Sequence, residues 1–246
     1  MSQWVRKGLQ TGIRTTAYPA HPEAAAGVSP GLPLGGQYPV EHTASLVARC
    51  PTQALSGHGG LVAIDYRRCV HCYRCARHLH APLAWSPDYE CATAVEGHDL
   101  GPALRRSLHI IVVDAGDCGA CLHEVKQLNN PYYNMHRLGF FLTPTPRHAD
   151  VLLVVGPVTE PMRVALRKTY DAMPNPKCVV AVGACALSGG VFGPSFASEG
   201  GVGRVIPVDV EVPGQPPPPL AILHGLLVAA GRKTPRSVAN QESRSP

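Results

Sequence analysis

Three short apolar runs rich in β-branched residues stand out in the second half of the chain, at positions 108–113, 151–155 and 178–182. Stretches in which apolar residues recur at helical spacing accompany them, near 122–137, 159–173 and 221–230. Apolar strands that alternate with helices are typical of a parallel sheet covered on both faces. The pattern therefore predicts a doubly wound α/β domain over residues 101–231.

The first hundred residues follow a different pattern. Apolar residues at helical spacing predict a short amphipathic helix over 1–16, namely Trp4, Val5, Leu9 and Ile13. Residues 18–39 are rich in Pro, Gly and Ala, which predicts an extended strap and completes an N-terminal segment 1–39. Residues 40–100 contain five cysteines and only short apolar stretches. A module of this size cannot bury a large core, so we expect a metal centre to stabilise it.

Composition narrows the class of protein. The 246 residues are 45% hydrophobic, which is enough for a sizeable core, and their net charge of +5 is not gathered into a basic stripe. That balance argues against a nucleic-acid partner. The chain shows neither an apolar run long enough to cross a membrane nor the apolar core of a secretory signal, which predicts a cytosolic location. In such a chain, nine cysteines indicate metal or cluster ligands before disulfides.

Cys69, Cys72 and Cys75 form a C-x2-C-x2-C run, and a Cys50-Pro51 pair lies upstream. Thiolates at this spacing wrap an iron–sulfur cube, and in two-cluster ferredoxins the run ends with a Cys-Pro that ligates the other cluster. The segment resembles one half of a bacterial-type ferredoxin, which implies a small α+β module whose four cysteines hold one [4Fe–4S] cluster. The other half lacks its ligands. The alternatives are a structural zinc site, which also uses four thiolates, and a chance occurrence of the spacing.

Two residues near this run receive simpler interpretations. His71 lies inside the run, and we expect it to be a solvated neighbour of the cysteines rather than a ligand. Cys91 has no partner at ligand spacing, so we expect it to be a buried free thiol.

A second set of cysteines follows the predicted strands. Cys118 and Cys121 come soon after the first apolar run, and Cys185 follows the third. Loops at the carboxyl ends of parallel strands share one edge of the sheet, so we expect the three thiols to converge there. Glycines in these loops let the backbone come close and donate N–H groups to cluster sulfurs, namely Gly183, Gly189 and Gly190.

Five motifs occur together in this half of the chain: Cys118-x2-Cys121-x2-Glu124, Thr145-Pro-Arg-His-Ala-Asp150, Gly156-Pro-Val-Thr159, Gly183-Ala-Cys185 with Gly189-Gly190, and Val208-Asp-Val-Glu-Val-Pro-Gly214. In combination they resemble the small subunit shared by energy-converting [NiFe] hydrogenases, formate hydrogenlyase and respiratory complex I, where it is the 20 kDa subunit. The resemblance implies a flavodoxin-like sheet that carries an iron–sulfur cluster. Residues 8–19 and the ferredoxin-like module are similar to the polyferredoxin subunit of the same complexes. The chain thus resembles a fusion of two neighbouring electron carriers.

The family places its fourth cluster ligand in a Val-Pro-Gly-Cys-Pro-Pro motif, and here Gln215 occupies the position of that cysteine. A carboxamide is a poor donor to iron beside thiolates. Three outcomes stay open: a [4Fe–4S] cluster with one iron held by water, Gln215 or a partner's side chain, a [3Fe–4S] cluster, or no second cluster. Cys178 does not supply the missing thiolate, because it begins the third strand, about 20 Å away toward the opposite edge of the sheet.

The resemblance also assigns three other residues to the site. Glu124 follows the cysteine pair, and in the family an acid at this position is tied to proton movement. The alternative is an acid that favours a helix N-terminus. Arg147 and His148 lie in the region that faces the large subunit and the quinone cavity in complex I, although His148 could equally be a solvated loop residue.

As implied by the resemblance, the chain is an electron-transfer subunit that does not catalyse a reaction alone. Its expected partners are a hydrogenase-like large subunit and further iron–sulfur and membrane subunits, with quinone at the large-subunit interface. The expected location is peripheral, on the cytoplasmic side of the inner membrane. A second hypothesis, favoured by Gln215, is a structural adaptor that has lost its second cluster. A flavodoxin-like enzyme is disfavoured, because no Gly-rich phosphate loop follows the first strand. The polar segment 232–246 is predicted to be disordered.

Overall fold

The computed structural model describes residues 2–77, 82–95 and 100–236. Among these residues, the N-terminal part consists of α1 (Gln3–Thr11), β1 (Leu32–Pro33), β2 (Gly36–Gln37), α2 (Val40–Ala48), β3 (Leu55–His58), β4 (Leu61–Ile64) and β5 (Trp85–Ser86). The C-terminal part consists of β6 (Thr93–Ala94), β7 (Leu108–Asp114), α3 (Ala120–Gln127), β8 (Phe140–Leu142), β9 (Val151–Val155), α4 (Glu160–Ala172), β10 (Cys178–Val182), α5 (Ala184–Ser188), β11 (Val210–Val212) and α6 (Pro219–Ala229). Turns of 3-10 helix lie at Met135–Leu138, Pro146–His148 and Val202–Arg204. Within the described residues, none of the helices is long and apolar enough to cross a bilayer.

A six-stranded sheet organises the C-terminal part, in the order β6-β11-β10-β9-β7-β8. The strands from β11 to β8 pair in parallel, and β6 adds an antiparallel edge. Every residue of β9 and β10 is buried, because helices cover both faces of the sheet. Side chains of α3 and α6 pack on one face, and side chains of α4 and α5 pack on the other. The predicted doubly wound α/β fold is confirmed.

The elements match the sequence pattern where they are long, and differ from it where they are short. The three apolar runs form β7, β9 and β10, whereas β6, β8 and β11 carry too few residues to show a period. The helix predicted near 122–137 is wrong in its extent, because α3 ends at Gln127 and a turn through Asn130 and Pro131 follows. Proline lacks the N–H that a helix interior needs and disfavours helical backbone at the residue before it.

The N-terminal part is the small α+β region that the sequence predicted, and it packs directly against the large sheet. β1 pairs with β5, while β2, β4 and β3 form a second small sheet. Buried side chains such as Tyr18 and Leu46 belong to the same apolar core as α6. Arg67 forms an ion pair with Glu211 at 2.9 Å, and the Ser188 hydroxyl donates a hydrogen bond to the Arg67 carbonyl at 2.9 Å. The two parts therefore share one core and a polar seam.

Residues 232–236 extend from α6 back over the N-terminal part. Lys233 forms an ion pair with Glu90 at 2.7 Å, and arginines at both ends of this stretch also contact the body of the protein. The prediction of a disordered segment 232–246 is therefore wrong for these five residues. Residues 237–246 lie outside the described part of the chain.

Replacing Leu153 in β9 by alanine tests the placement of the core. Leu153 is fully buried, so Leu153→Ala leaves a cavity and is expected to lower the free energy of unfolding by about 2–5 kcal/mol. Val164→Ala serves as the control, because Val164 on α4 is 52% exposed and its truncation should change stability by less than about 1 kcal/mol. Denaturant unfolding followed by circular dichroism measures both. Equal effects of the two substitutions would contradict this placement.

Candidate metal centres

Three parallel strands deliver side chains to one edge of the large sheet. The loop after β7 carries Cys118 and leads into α3, which contains Cys121. β10 leads into α5 with Cys185, and β11 leads into the loop that contains Gln215. Because the carboxyl ends of parallel strands lie at one edge of a sheet, these residues come together there. We term the set the second site: Cys118, Cys121, Cys185 and Gln215. The structure thus brings the three thiols to one edge, as the sequence predicted.

Gln215 is in direct contact with a thiol of the second site. Its Nε2 donates a hydrogen bond to Sγ of Cys185 at 3.3 Å. Its Oε1 is buried and has no hydrogen-bond partner. The carboxamide therefore lies at the thiols, where the family resemblance placed the missing fourth ligand.

Two glycines let the backbone approach the buried sulfur atoms. Gly183 has a φ of +92°, and a Cβ there would lie 2.6 Å from Sγ of Cys121. Gly190 has a φ of +58°, and a Cβ there would lie 2.7 Å from Sγ of Cys185. Gly189 approaches backbone atoms of its own loop instead. Gly183 and Gly190 thus keep the space beside the two thiols free of side chains.

Two aspartates fix the loop between β7 and α3. Asp114 accepts hydrogen bonds from backbone N–H groups of the loop. Asp117 Oδ2 accepts the N–H groups of Gly119 and Leu122, both at 3.0 Å. Asp117 Oδ1, in contrast, is buried without a hydrogen-bond partner. Asp117 was not among the site residues predicted from the sequence, although it lies directly before Cys118.

Burial sets the protonation of the thiols at the second site. It raises the pKa of Cys121, and the negative charge of Asp117 raises it further. It also raises the pKa of Cys185, against which the hydrogen bond from Gln215 acts. Because cysteine binds a metal as the thiolate, a metal that enters this site must displace protons from these thiols.

Four cysteines of the N-terminal part line one pocket and are termed the first site: Cys50, Cys69, Cys72 and Cys75. Cys50 follows α2, and its Sγ accepts the N–H of Ala54 at 3.1 Å. The other three lie in the loop after β4, and burial raises the pKa of Cys69 to about 12. Trp85 also lines the pocket, and its Nε1 is buried. The first site thus combines four thiols with an N–H donor that interacts with Cys75.

His71 and Tyr73 shape the loop of the first site. Both residues have a positive φ, 48° and 58°. Tyr73 stacks on Trp85 with 4.2 Å between ring centroids, and His71 meets the same ring edge-on at 5.6 Å. Both ring nitrogens of His71 are buried without partners, and burial lowers its pKa to about 4. The prediction of a solvated His71 is therefore wrong, because the loop packs this ring against Trp85.

A cleft lies between the two sites. Its lining includes side chains from the first-site loop and from the second site: His71, Tyr73, Glu124, Tyr133, Gln215 and Pro216. Glu124 is half-buried there, and burial raises its pKa. The structure thus places Glu124 between the two cysteine sites.

Other sequence-predicted residues lie away from both sites. Arg147 and His148 are exposed in the turn before β9, at the amino edge of the large sheet. Cys178 is buried at the start of β10, toward the same edge, as predicted. Cys91 is buried and its thiol contacts the carbonyl of Pro213 at 3.7 Å, which confirms the predicted buried thiol.

The two donor sets differ in how completely they suit an iron–sulfur cluster. Among the described residues, no three His, Cys, Asp or Glu side chains are grouped closely enough to hold a single metal ion. At the first site, four thiols surround a pocket, and four thiolates are the usual ligands of a cluster. At the second site, three thiols and a carboxamide leave the donor set one thiolate short.

Comparisons with known proteins identify relatives of this chain. Residues 118–229 match the family described as NADH ubiquinone oxidoreductase, 20 Kd subunit. An uncharacterized protein of Methanocaldococcus jannaschii is 44% identical over 140 residues, which cover 57% of this chain and 91% of that protein. Formate hydrogenlyase subunit 7 of Escherichia coli is 39% identical over 128 residues, or 52% of this chain and 50% of that subunit. A probable membrane-bound hydrogenase subunit of Pyrococcus furiosus is 44% identical over 126 residues, or 51% and 75%.

Alkylation of the metal-free chain should separate exposed from buried thiols. Cys72 and Cys118 are exposed and are expected to react first with iodoacetamide at pH 8. Cys91 and Cys178 should stay unmodified, because burial raises their pKa and keeps the unreactive thiol form. Peptide mass spectrometry over a time course measures the order. Labelling of Cys91 as fast as Cys118 without denaturant would contradict the structure.

Gly183→Ala tests the close approach of backbone to thiol. The new methyl group would meet Sγ of Cys121 in a backbone conformation that only glycine adopts easily. Gly193→Ala is the matched control, since Gly193 also has a positive φ (+61°) but has open space around its Cβ position. We expect Gly183→Ala to cost about 2 kcal/mol more stability than the control. Comparable thermal midpoints for the two variants would refute the close approach.

Proposed function

Because the chain belongs to the family of the 20 kDa subunit of NADH ubiquinone oxidoreductase, we propose that it is an iron–sulfur electron-transfer subunit of a membrane-associated complex of the hydrogenase or complex I type. One observation carries the proposal: seven cysteines from separate stretches meet at two sites that flank one cleft. Members of the family typically bind a [4Fe–4S] cluster through cysteines. Such clusters carry electrons without making or breaking bonds in a substrate. We therefore assign the chain no catalysis of its own.

The first site is proposed to hold a [4Fe–4S] cluster on Cys50, Cys69, Cys72 and Cys75. The family match begins at residue 118, so this assignment rests on the cysteine spacing and on the shared pocket. The N–H of Ala54 already bonds to Cys50 Sγ, and the Nε1–H of Trp85 interacts with Cys75 at the same pocket. Such donors stabilise electron density on cluster sulfurs and tune the reduction potential.

The second site is proposed to hold another iron–sulfur cluster on Cys118, Cys121 and Cys185. Gly183 supports this assignment, because it leaves the space beside Cys121 open. With Gln215 in the fourth position, the cluster is either a [4Fe–4S] cube with one iron held by a different donor or a [3Fe–4S] cluster. The route proposed for electrons runs from the first site, across the cleft, to the second.

We propose that Glu124 binds and releases a proton beside this route. It lines the cleft between the sites, and burial raises its pKa. A carboxylate in this position can take up a proton when an electron arrives nearby, because the added negative charge favours its protonated form. The alternative, an acid that stabilises the helix N-terminus, is not supported, because Glu124 is the fifth residue of α3 and lies beyond its first turn.

Exposed apolar side chains next to the second site support a protein partner. Phe192 and Phe196 are 73% and 98% exposed, in the loop that follows α5. Large exposed apolar groups of this kind mark interaction surfaces. We propose that a hydrogenase-like large subunit covers this loop, so that electrons leave from the second site. Roles for Arg147 and His148 at an interface with quinone stay predictions.

The chain is proposed to be peripheral, on the cytoplasmic side of the inner membrane, beside further iron–sulfur and membrane subunits. Segment 1–39 would act as a strap, since Thr16 N–H donates to the carbonyl of Tyr132 at 2.9 Å and so ties it to the C-terminal part. Residues 40–100 would form the first-cluster module, and residues 101–231 the second. The sequence similarity of this chain to the P. furiosus and E. coli subunits supports this assembly.

Iron and sulfide analysis of the chain purified without oxygen tests the proposal. Two complete cubes require about eight irons per chain, and a trinuclear second cluster requires about seven. Electron paramagnetic resonance (EPR) distinguishes these states, because a trinuclear cluster gives a signal when oxidised and a cube gives one when reduced. A colourless preparation, or one that contains zinc in place of iron, would refute the electron-transfer function.

Cys72→Ser is expected to remove the first cluster and about four irons, because a serine oxygen replaces one soft thiolate. Cys91→Ala is the control and should keep the iron content of the natural chain, since Cys91 lies outside both donor sets. Iron loss from both variants alike would contradict the assignment of the first site.

A structural adaptor is the second candidate function, and Gln215 is the observation that favours it. In that case the second site holds three free thiols, and the chain only connects the large subunit to membrane partners. About four irons per chain, all assigned to the first site, would support the adaptor over the two-cluster carrier.

A further inference from the structure

We propose that Asp117 supplies the fourth protein donor of the second cluster, through its Oδ1 atom, in place of the missing cysteine. The proposal rests on the proposed function, because it requires a second cluster on Cys118, Cys121 and Cys185. It assigns Gln215 a different task, the hydrogen bond to the sulfur of Cys185. Gln215 then occupies the position of the family cysteine, whereas Asp117 completes the donor set.

The two carboxylate oxygens of Asp117 have unequal surroundings. Oδ2 accepts the N–H groups of Gly119 and Leu122, both at 3.0 Å, and so caps the start of α3. Oδ1 is buried and has no hydrogen-bond partner. A buried carboxylate oxygen without a donor is costly unless something else satisfies it. Capping thus explains one oxygen and leaves the other available to a metal.

Asp117 is also the acidic residue most closely associated with the thiols of the second site. It is bonded directly to Cys118 in the chain. Its Oδ2 accepts the N–H of Leu122, the residue directly after Cys121, at 3.0 Å. Asp117 therefore adjoins both cysteines of the stretch that leads from β7 into α3.

Gln215 is a weaker candidate for the same task. A carboxylate carries a negative charge that helps to hold iron, whereas a carboxamide is neutral and a poor donor. The Oε1 atom of Gln215 is also buried without a partner, but its Nε2 group already donates a hydrogen bond to Cys185 Sγ at 3.3 Å. Hydrogen bonds to cluster sulfurs tune the reduction potential without completing the coordination of iron.

Asp117→Asn separates ligation from capping. Asparagine keeps an oxygen that can accept the two backbone N–H groups, and it is a good helix cap, but it removes the charged donor. We expect Asp117→Asn, prepared without oxygen, to lose about one iron per chain and to show the EPR signal of a trinuclear cluster when oxidised. Asp117→Cys should restore the natural iron content. The signal of the reduced first cluster reports whether each variant is folded.

Asp114→Asn is the matched control, because Asp114 lies in the same loop and also accepts backbone N–H groups. It should keep the iron content and EPR spectra of the natural chain. Gln215→Ala should likewise keep the iron content, while it shifts the reduction potential of the second cluster.

The outcomes distinguish this proposal from the proposed function. About four irons in the natural chain would refute the second cluster, and the role of Asp117 with it. A trinuclear signal already in the natural chain would refute Asp117 alone. Unchanged EPR spectra of the Asp117→Asn variant would also refute the role of Asp117. Loss of iron from Gln215→Ala in place of Asp117→Asn would refute it as well.

Discussion

Parallel pairing of β7, β9, β10 and β11 is the constraint on which the second site depends. It places the carboxyl ends of these strands at one edge, so Cys118, Cys185 and Gln215, which lie far apart in the sequence, become neighbours. The pairing is stable because β9 and β10 are buried along their full length between two layers of helices. The donor set is therefore a product of the hydrophobic core, and any shift in strand register would move its members relative to one another.

The N-terminal part depends on that same core. It contributes only short strands and helices of its own, yet Tyr18 and Leu46 pack into the cluster of side chains that includes α6. The ion pair between Arg67 and Glu211 adds a polar contact close to the first-site loop. This shared packing keeps the first site beside the cleft, which gives the proposed electron route a fixed geometry.

The sequence predicted the features that depend on local pattern. The runs that became β9 and β10 are entirely apolar, and the spacing of Cys69, Cys72 and Cys75 is a property of one loop. Features that arise from distant contacts could not be read in this way. The burial of His71 requires the ring of Trp85, and the order of residues 232–236 requires acceptors such as Glu90. Likewise, the unpartnered oxygen of Asp117 becomes visible only once the loop is folded around it.

The residues after Gln215 leave its backbone little freedom. Four consecutive prolines follow, and they lead into α6, whose residues are buried on every side. The backbone position of Gln215 is thus fixed by the polypeptide and does not depend on a group bound beside its carboxamide. A donor anchored in this way shifts little when the charge of a neighbouring group changes. If the proposed cluster changes oxidation state here, small structural rearrangement at each step favours rapid exchange of electrons. The rigidity of this proline segment would then influence a rate as well as a position.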